Sequence, residues 1–289
     1  MPRAGTRLFD TAAAVMRRVP PFRGQWQVAN VLRRLLLPLR GPSDALATVR
    51  MRDGSLMIWD LRDESEGRAA FLGRWDDDIR NAVIRMLPEA AVILDVGASV
   101  GAWTIPLARQ AGRAATVYAF EPVPANRERL QTVIAANALT NVTVSSLALG
   151  EAAQRVGMWL RSSVSGAESG TAAVVPTEEG HIVVEMQTLD RWTDEIGLRR
   201  IDFIKLDVEG AELQVLAGGT HTVQRLRPVI LAEFDPYWMS VRHRTSADVT
   251  EWARRHAYRM MQWNRRAARW EPTSQPCGDS TLLVPETAG

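Results

Sequence analysis

The residues best placed to do chemistry follow a short apolar run in the first half of the chain. The segment AVILDVGASVG at 91–101 joins apolar residues to Asp95 and to two glycines, Gly97 and Gly101, four positions apart. Glycine lets the backbone approach a ligand closely, and the helix expected after the turn presents unpaired N–H groups in its first turn. A strand, a glycine turn and a helix start in this order predict a cofactor pocket.

An acidic residue twenty positions further on narrows the kind of cofactor. Glu121 ends a second apolar run, and a carboxylate there can accept hydrogen bonds from two ribose hydroxyls. The dinucleotide fingerprint needs glycine at three places, but Ser99 and Ala102 fill the second and third. Asp95 would also repel a pyrophosphate, whereas S-adenosylmethionine (SAM) is cationic and has no phosphate. The pattern favours SAM, and an NAD-linked oxidoreductase on a Rossmann-like sheet is the alternative.

A second group of ionisable residues lies in the segment IDFIKLDVEGAE at 201–212. Lys205, Asp207 and Glu209 alternate along it, so they would project to one side of an extended chain. Asp207 ends the predicted strand and is the first candidate for orienting or deprotonating an acceptor hydroxyl, with Glu209 beside it. The alternative is structural: a buried Lys205 needs a carboxylate partner, and the acids then only anchor the turn into the next helix.

Two further candidates lie at or after the end of the next predicted strand, which spans 229–234. Glu233 lies at its end, where a second acceptor contact is expected. His243 follows in a predicted loop, and histidine is suited to general-base work near neutral pH. Asp207, Glu209 and Glu233 could together bind Mg²⁺, which prefers oxygen ligands. The spacing does not demand a metal, so no metal ligand is assigned.

These candidates need an α/β framework to bring them together. Strand-like apolar runs recur at 92–96, 116–120, 142–146, 202–206 and 229–234. Helical segments alternate with them, which predicts a mostly parallel sheet with helices on both faces. The rhythm breaks at about 151–187, where we expect an inserted hairpin. Residues 258–263 and 280–284 are expected to close the sheet as an antiparallel pair.

Composition bounds the class of protein. A chain of 289 residues that is 46% hydrophobic has ample core for one large domain. We expect residues 1–75 to form an extension with a hairpin at Asp53-Gly54, and 76–289 to form the SAM-dependent domain. A single cysteine, Cys277, excludes an internal disulfide and a cysteine metal cluster and fits a reducing compartment. Neither a signal-peptide core nor a spanning segment is expected, so we expect a cytoplasmic protein.

The start of the chain is basic. Residues 1–40 contain eight arginines and one acid. Apolar residues recur at helical spacing between 25 and 39, with Arg33 and Arg34 on the polar side. Two interpretations stay open: a helix packed on the main domain or over its pocket, and a basic amphipathic helix on an anionic membrane surface. Nucleic-acid binding is disfavoured, because the arginines lack interleaved aromatic residues and no recognition motif follows.

Five segments of the chain form a recognisable set. They are DVGASVG at 95–101, FEP at 120–122, TLD at 188–190, IDFIKLDVEGAELQVLAGG at 201–219 and RPVILAEF at 227–234. Together they resemble the FkbM family of SAM-dependent methyltransferases over about residues 46–260. The resemblance implies the class I methyltransferase fold, a Rossmann-like seven-stranded sheet with one antiparallel strand near the edge. It also implies an O-methyltransferase that acts on a hydroxyl of a sugar, glycolipid or secondary metabolite.

The resemblance assigns cofactor positions as well. The residues that it places at the methionine end of SAM are Asp95, Gly97, Ala98 and Gly101. It places Glu121 at the ribose, and Leu147 and Ala148 at the adenine. Ser99 stands where asparagine is more usual in the family, and its side chain can still form hydrogen bonds. A protein that binds SAM without catalysis is the third interpretation.

Overall fold

The computed structural model describes residues 4–20, 22–40, 45–161, 171–175, 180–278 and 280–286. The strands in these ranges are β1 Leu46–Arg50, β2 Leu56–Asp60, β3 Val92–Val96, β4 Thr116–Phe120, β5 Val142–Ser145, β6 Ala148–Leu149, β7 Gln154–Arg161, β8 Thr171–Val175, β9 Ile182–Gln187, β10 Phe203–Leu206, β11 Val229–Ala232, β12 Tyr258–Asn264, β13 Arg269–Pro272 and β14 Thr281–Pro285.

The helices in the same ranges are α1 Ala4–Arg18, α2 Gln25–Leu36, α3 Glu64–Leu72, α4 Asp77–Ile84, α5 Thr104–Gln110, α6 Pro124–Ala136, α7 Leu189–Glu195, α8 Glu212–Gly218, α9 Thr220–Leu226, α10 Pro236–Val241 and α11 Ser246–Arg255. A 3₁₀ turn, Leu37–Leu39, follows α2. None of these helices is long and apolar enough to cross a membrane.

A central sheet has the strand order β13-β12-β14-β11-β10-β3-β4-β5. The five strands from β11 to β5 are parallel, and β14 runs antiparallel between β11 and β12. The predicted fold class is therefore confirmed. The described chain adds an eighth strand to the seven expected, because it turns back after β12 and pairs β13 with it at the edge.

Both faces of the parallel strands are covered, which explains their apolar sequences. In β3, Ile93 packs in one core cluster with Leu107 of α5, and Leu94 packs in another with Val215 of α8. Adjacent residues of a strand point to opposite faces, so helices lie on both sides of the sheet. The register places Asp95 beside Lys205 of the neighbouring β10. Two charged residues thus meet inside an otherwise apolar sheet.

The insert predicted at 151–187 is larger than a hairpin. β7 pairs antiparallel with β8 and with β9, and β9 pairs parallel with β6, which gives a second, four-stranded sheet. Residues 162–170 and 176–179 of this insert lie outside the described ranges. Sequence periodicity missed β6 because two residues are too few to show alternation.

The N-terminal extension packs onto the main sheet. The hairpin predicted at Asp53-Gly54 is confirmed as β1 and β2, and α1 and α2 contact each other and α3. Phe9, Met57 and Phe71 of the extension share a core cluster with Ala98 and Leu130. The extension and the residues around the glycine turn are therefore held together by one apolar core.

The buried face of α2 differs from the expectation. Arg33 was expected on the polar side, but its side chain is only 5% exposed and Nη1 donates to the carbonyls of Leu61 and Arg62. Asn30 is buried as well, while Val31 and Leu35 are 56% and 66% exposed. Arginine can be buried here because its long stem packs against Gly67 and its guanidinium finds backbone acceptors.

Candidate active site

A cavity of about 370 Å³ opens at the carboxyl ends of the central parallel strands. Four segments at or just beyond the ends of β3, β4, β5 and β10 line it: 97–100, 120–122, 147–149 and 207–209, of which 148–149 form β6. Ligands of open α/β sheets bind at this edge, where adjacent loops diverge. We call this cavity the central pocket.

The glycine turn fits only glycine at Gly97. Its φ is 83°, and a Cβ there would lie 1.9 Å from the carbonyl oxygen of Asp207. The amides of Gly97 and Ala98 both donate to the carbonyl of Phe120, at 3.0 and 2.9 Å. The turn is therefore pinned between the ends of β4 and β10, and a side chain would push these segments apart.

The second glycine of the turn has a packing role. Gly101 has a φ of 95°, and a Cβ there would lie 2.7 Å from Leu130 of α6. Gly101 does not line the central pocket, whereas its neighbours Val100 and Ala102 do. Close packing of α6, and not direct ligand contact, therefore accounts for glycine at this position.

Glu121 is a fixed carboxylate in the pocket wall. The residue is only 4% exposed, and its carboxylate accepts hydrogen bonds from the amides of Ser99 and Val123, each at 2.8 Å. Burial raises its pKa to about 7, and these hydrogen bonds, with one from Asn126, oppose the rise. The surrounding backbone thus orients the carboxylate before any ligand arrives.

Lys205 holds two carboxylates together beneath the pocket. Its Nζ lies 2.8 Å from Asp207 Oδ2 and 3.9 Å from Asp95 Oδ1. Burial alone lowers the pKa of Lys205, but Asp207 and Asp95 raise it above its ordinary value. The ammonium therefore stays charged, as the structural interpretation of this segment requires. Asp207 also lines the central pocket, so ion pairing and acceptor contact are compatible.

Asp95 lies behind the glycine turn and not in the pocket wall. It is fully buried, and Oδ2 accepts a 2.6 Å hydrogen bond from Thr104. Burial raises its pKa, while Lys205 opposes that rise. Because Lys205 partly compensates its charge, the repulsion of a pyrophosphate that we expected from Asp95 is weaker than the sequence implied.

Two more carboxyl groups of the pocket have raised pKa values. Glu233 lines the pocket. Burial, together with the charges of Asp207 and Glu209, raises its pKa to about 8, and the charge of Lys205 opposes this rise. Burial, followed by the charge of Asp207, raises the pKa of Glu209 to about 7. Carboxyl groups with raised pKa values in a cleft are candidates for proton transfer.

Of the remaining residues predicted from the sequence, the fold places some in the central pocket and others outside it. Leu147 and Ala148 line the central pocket, but His243 does not. The segment after β11 forms α10, whose N-cap Asp235 accepts from the amide of Trp238, and His243 follows as an exposed residue with φ of 55°. Across the described ranges, no group of three or more His, Cys, Asp or Glu side chains is arranged to hold a metal ion. The geometry thus lends no support to the Mg²⁺ hypothesis.

The extension supplies pocket residues that sequence reasoning did not single out. They are Trp59, Asp63, Ser65, Glu66 and Trp75. Trp59 and Trp75 are stacked, with ring centroids 5.5 Å apart and planes 11° apart. No local signal in the sequence marks them, because their place in the wall depends on long-range packing of the extension.

The strand order, the glycine turn after β3 and the acidic residue after β4 define a class I methyltransferase fold. The model of the Methyltransferase FkbM domain family matches residues 95–260, which is more than half of the chain. The chain therefore belongs to the FkbM methyltransferase family.

Individual relatives match over limited lengths. The chain is 28% identical over 208 residues to AMB antimetabolite synthetase AmbE of Pseudomonas aeruginosa, covering 60% of this chain and 10% of that protein. It is 49% identical over 49 residues to 2-O-methyltransferase NoeI of Sinorhizobium fredii, covering 17% of this chain and 20% of that protein. The chain thus spans a fifth or less of both relatives. The crystal structure of methyltransferase FkbM from Methylobacillus flagellatus is 19% identical with a TM-score of 0.45, covering 97% of this chain and 58% of that one.

Proposed function

We propose that this protein is a SAM-dependent O-methyltransferase that acts on a hydroxyl of a sugar, glycolipid or secondary metabolite. The observation that carries the proposal is a carboxylate-lined pocket whose wall includes both the Gly97 turn and the fixed Glu121. The printed name of the relative NoeI, a 2-O-methyltransferase, agrees with transfer to oxygen.

The charges of the pocket suit SAM. Asp207, Glu209, Glu233 and Glu121 line it, and Lys205 is the one amine among the lining residues of the described chain. A cationic sulfonium and ammonium would be attracted here, whereas the phosphates of a dinucleotide would be repelled. Bound SAM supplies the electrophilic methyl group. The pocket charges thus disfavour the NAD-linked alternative more strongly than Asp95 alone does.

We assign the cofactor contacts to three segments. Glu121 would accept hydrogen bonds from the ribose hydroxyls, since its carboxylate is already oriented by two amides. The turn at 97–99 would hold the methionine end, and Leu147 and Ala148 would contact the adenine. These residues come from the ends of β3, β4 and β5, so one ligand can reach all of them.

The acceptor side is assigned to the remaining carboxylates. Asp207 would orient the hydroxyl, because Lys205 fixes its side chain at the end of β10. Glu233, with a pKa raised to about 8, would take up the hydroxyl proton in its ionised form. Methyl transfer then requires the chain mainly to align the acceptor oxygen and to remove that proton.

Calorimetric titration tests the cofactor assignment. We expect SAM to bind and Glu121→Ala to weaken its affinity by about 10- to 100-fold, because the variant loses charge-assisted hydrogen bonds worth about 1.5–3 kcal/mol. NAD should give no heat. Glu128→Ala, at an exposed position of α6, is the matched control and should bind SAM as the native chain does. Binding of NAD, or equal SAM affinity in all three proteins, would contradict the proposal.

We also propose that the outward faces of α1 and α2 rest on an anionic membrane surface. Apolar side chains that are more than 40% exposed are concentrated in these helices and their flanks: Leu8, Val15, Phe22, Trp26, Val28, Val31, Leu35 and Leu39. Both helices contact α3 with their opposite faces, so these residues point away from the fold. Exposed apolar patches of this kind mark interaction sites.

Charge supports a lipid surface as the occupant. Exposed arginines flank the apolar residues: Arg7, Arg18, Arg23 and Arg34. Apolar insertion combined with basic side chains is the composition of helices that bind anionic bilayers. A lipid-linked acceptor would then reach the enzyme at the membrane.

Vesicle flotation tests this surface. The protein should float with phosphatidylglycerol vesicles and much less with phosphatidylcholine vesicles, and Val31→Asp with Leu35→Asp should lower flotation about tenfold or more, because each charge must leave the interface. Ile196→Asp, a partly exposed apolar position far along the chain, is the control. Absence of flotation by the native chain, or a dimer in light scattering that the double variant disrupts, would overturn the proposal.

A further inference from the structure

A second cavity of about 550 Å³ lies beside the central pocket, and the two share Ser65 and Trp75 in their walls. We call it the arginine cavity, because Arg52, Arg68 and Arg74 line it. We propose that it binds an anionic group, a phosphate or a carboxylate, carried by the methyl acceptor. The inference rests on the proposed function, because the cavity would select an acceptor only if its neighbour holds the methyl donor.

Three arginines without an ion-pair partner in the described ranges line the arginine cavity. Arg52 follows β1, Arg68 lies on α3 and Arg74 follows α3. Within the described ranges, no carboxylate oxygen lies within 4 Å of any of the three, so none forms an ion pair there. Burial and the charge of Arg52 lower the pKa of Arg74, and the charges of Asp77 and Asp78 oppose this shift. In the described part of the chain, three positive charges thus line one cavity without a carboxylate at ion-pair distance, and an anionic ligand would relieve the repulsion between Arg52 and Arg74.

The arginines are oriented to different degrees. Arg52 donates to the carbonyls of Leu72, Met16 and Val19 at 3.0, 3.2 and 2.7 Å, so its position is fixed by backbone acceptors. Nη2 of Arg74 donates to Gln25 at 2.7 Å. The guanidinium of Arg68 forms no hydrogen bond within the described chain and keeps all its donors for a ligand.

The acidic residues of the cavity are largely engaged elsewhere. Asp77 pairs with Arg80 at 2.7 Å, and Asp78 pairs with Arg265 at 2.6 Å and accepts from Trp263 at 3.2 Å. The third acid, Asp76, interacts with Lys205 and Trp103 of the central pocket. The three acids therefore interact with other side chains, whereas Arg52, Arg68 and Arg74 form no ion pair within the described ranges.

Two indole rings complete the arginine cavity. Trp26 of α2 and Trp75 line it, and Trp75 is held in place by stacking on Trp59. Flat apolar surfaces beside guanidinium groups suit an anion attached to a ring, because the ring packs on the indoles while the anion accepts hydrogen bonds from arginine.

The two cavities have opposite charge character, which would orient the acceptor. Carboxylates of the central pocket repel an anion, and the arginine wall attracts it. An acceptor anchored by its anion in the arginine cavity would extend past Trp75 and direct a hydroxyl toward Asp207. Neutral acceptors of the same shape lack this anchor.

Binding of three small aromatic probes tests the inference. Phenyl phosphate and benzoate carry the two candidate anions, and phenol carries none. We expect at least one anion to bind the native chain, with the tighter one identifying the group, and phenol not to bind. Arg68→Gln with Arg74→Gln should weaken anion binding about tenfold or more without changing SAM affinity, since both charge-assisted hydrogen bonds to the anion are lost.

Controls separate this inference from the proposed function. Arg199→Gln with Arg259→Gln removes two exposed arginines far from the cavity and should bind anions as the native chain does. Arg68→Gln alone gives the same test if the double variant fails to fold. Absence of anion binding by the native chain, or equal binding in all variants, would overturn the inference while intact SAM binding leaves the proposed function standing. Anion binding without SAM binding would overturn the proposed function instead.

Discussion

Gly97→Ala should abolish SAM binding. A Cβ at this position would lie 1.9 Å from the carbonyl oxygen of Asp207, which no side-chain rotation can relieve because the methyl group is attached directly to the backbone. The turn and the end of β10 must therefore separate, and both line the central pocket. The φ of 83° adds strain for any L-residue with a side chain, of about 1–3 kcal/mol. We expect an affinity loss of more than about 100-fold, which corresponds to about 2.7 kcal/mol.

Gly112→Ala is the matched control for that result. Gly112 has a φ of 86°, but nothing lies within 4 Å of a Cβ built there. The control therefore carries the strain of the left-handed conformation without the clash. Calorimetric titration with SAM and thermal unfolding should be measured on both variants. If Gly97→Ala binds SAM as well as Gly112→Ala does, close backbone approach at the turn is not needed for the cofactor.

Asp207→Asn should lower methyl transfer by about 10²- to 10⁴-fold with SAM affinity retained, which is the range expected for loss of a positioned acid–base group. Asparagine keeps the size of the side chain, and Lys205 keeps Asp95 as a partner. Transfer of labelled methyl from SAM to an accepted hydroxyl compound is the measurement. Asp194→Asn, at an exposed position of α7, is the control. Undiminished transfer by Asp207→Asn would remove Asp207 from the mechanism.

The pH profile separates a role in proton transfer from a structural role. Glu233 must be ionised to accept a proton, so the rate of methyl transfer should rise with pH through about 8. Asp207 contributes to the raised pKa of Glu233 by charge repulsion. The residual activity of Asp207→Asn should therefore rise at lower pH than that of the native chain. A profile that does not move would argue against coupling between these two carboxyl groups.

Local sequence patterns predicted most of the main sheet, for a physical reason. Parallel strands buried on both faces are short, uniformly apolar runs, and β3, β4 and β10 lie within one residue of the runs at 92–96, 116–120 and 202–206. The glycine turn was predicted for a similar reason, since a positive φ such as that of Gly97 favours glycine at that position. Structural features with a local cause could thus be predicted from the sequence.

Features that depend on long-range packing could not be predicted from local sequence patterns. The inward position of Arg33 depends on carbonyl acceptors at Leu61 and Arg62, which lie 28 and 29 residues away along the chain. The residues of the extension that line the pocket, such as Trp75, carry no periodic signal that separates a pocket wall from a core. His243 was expected near the acceptor, but the short helix α10 intervenes and leaves it exposed. Periodicity reports which face of an element is buried, and not which distant element covers it.

Lys205 has a practical consequence for chemical labelling. It is the only lysine in the chain, and its amine is buried between Asp207 and Asp95. Only a neutral amine can attack an acylating reagent, because an ammonium has no lone pair, and these two carboxylates keep the Lys205 ammonium charged. Amine-directed dyes and crosslinkers would therefore leave Lys205 of the folded protein unmodified. Any acylation of Lys205 would report that the floor of the pocket had opened, which makes this single residue an internal probe of local unfolding.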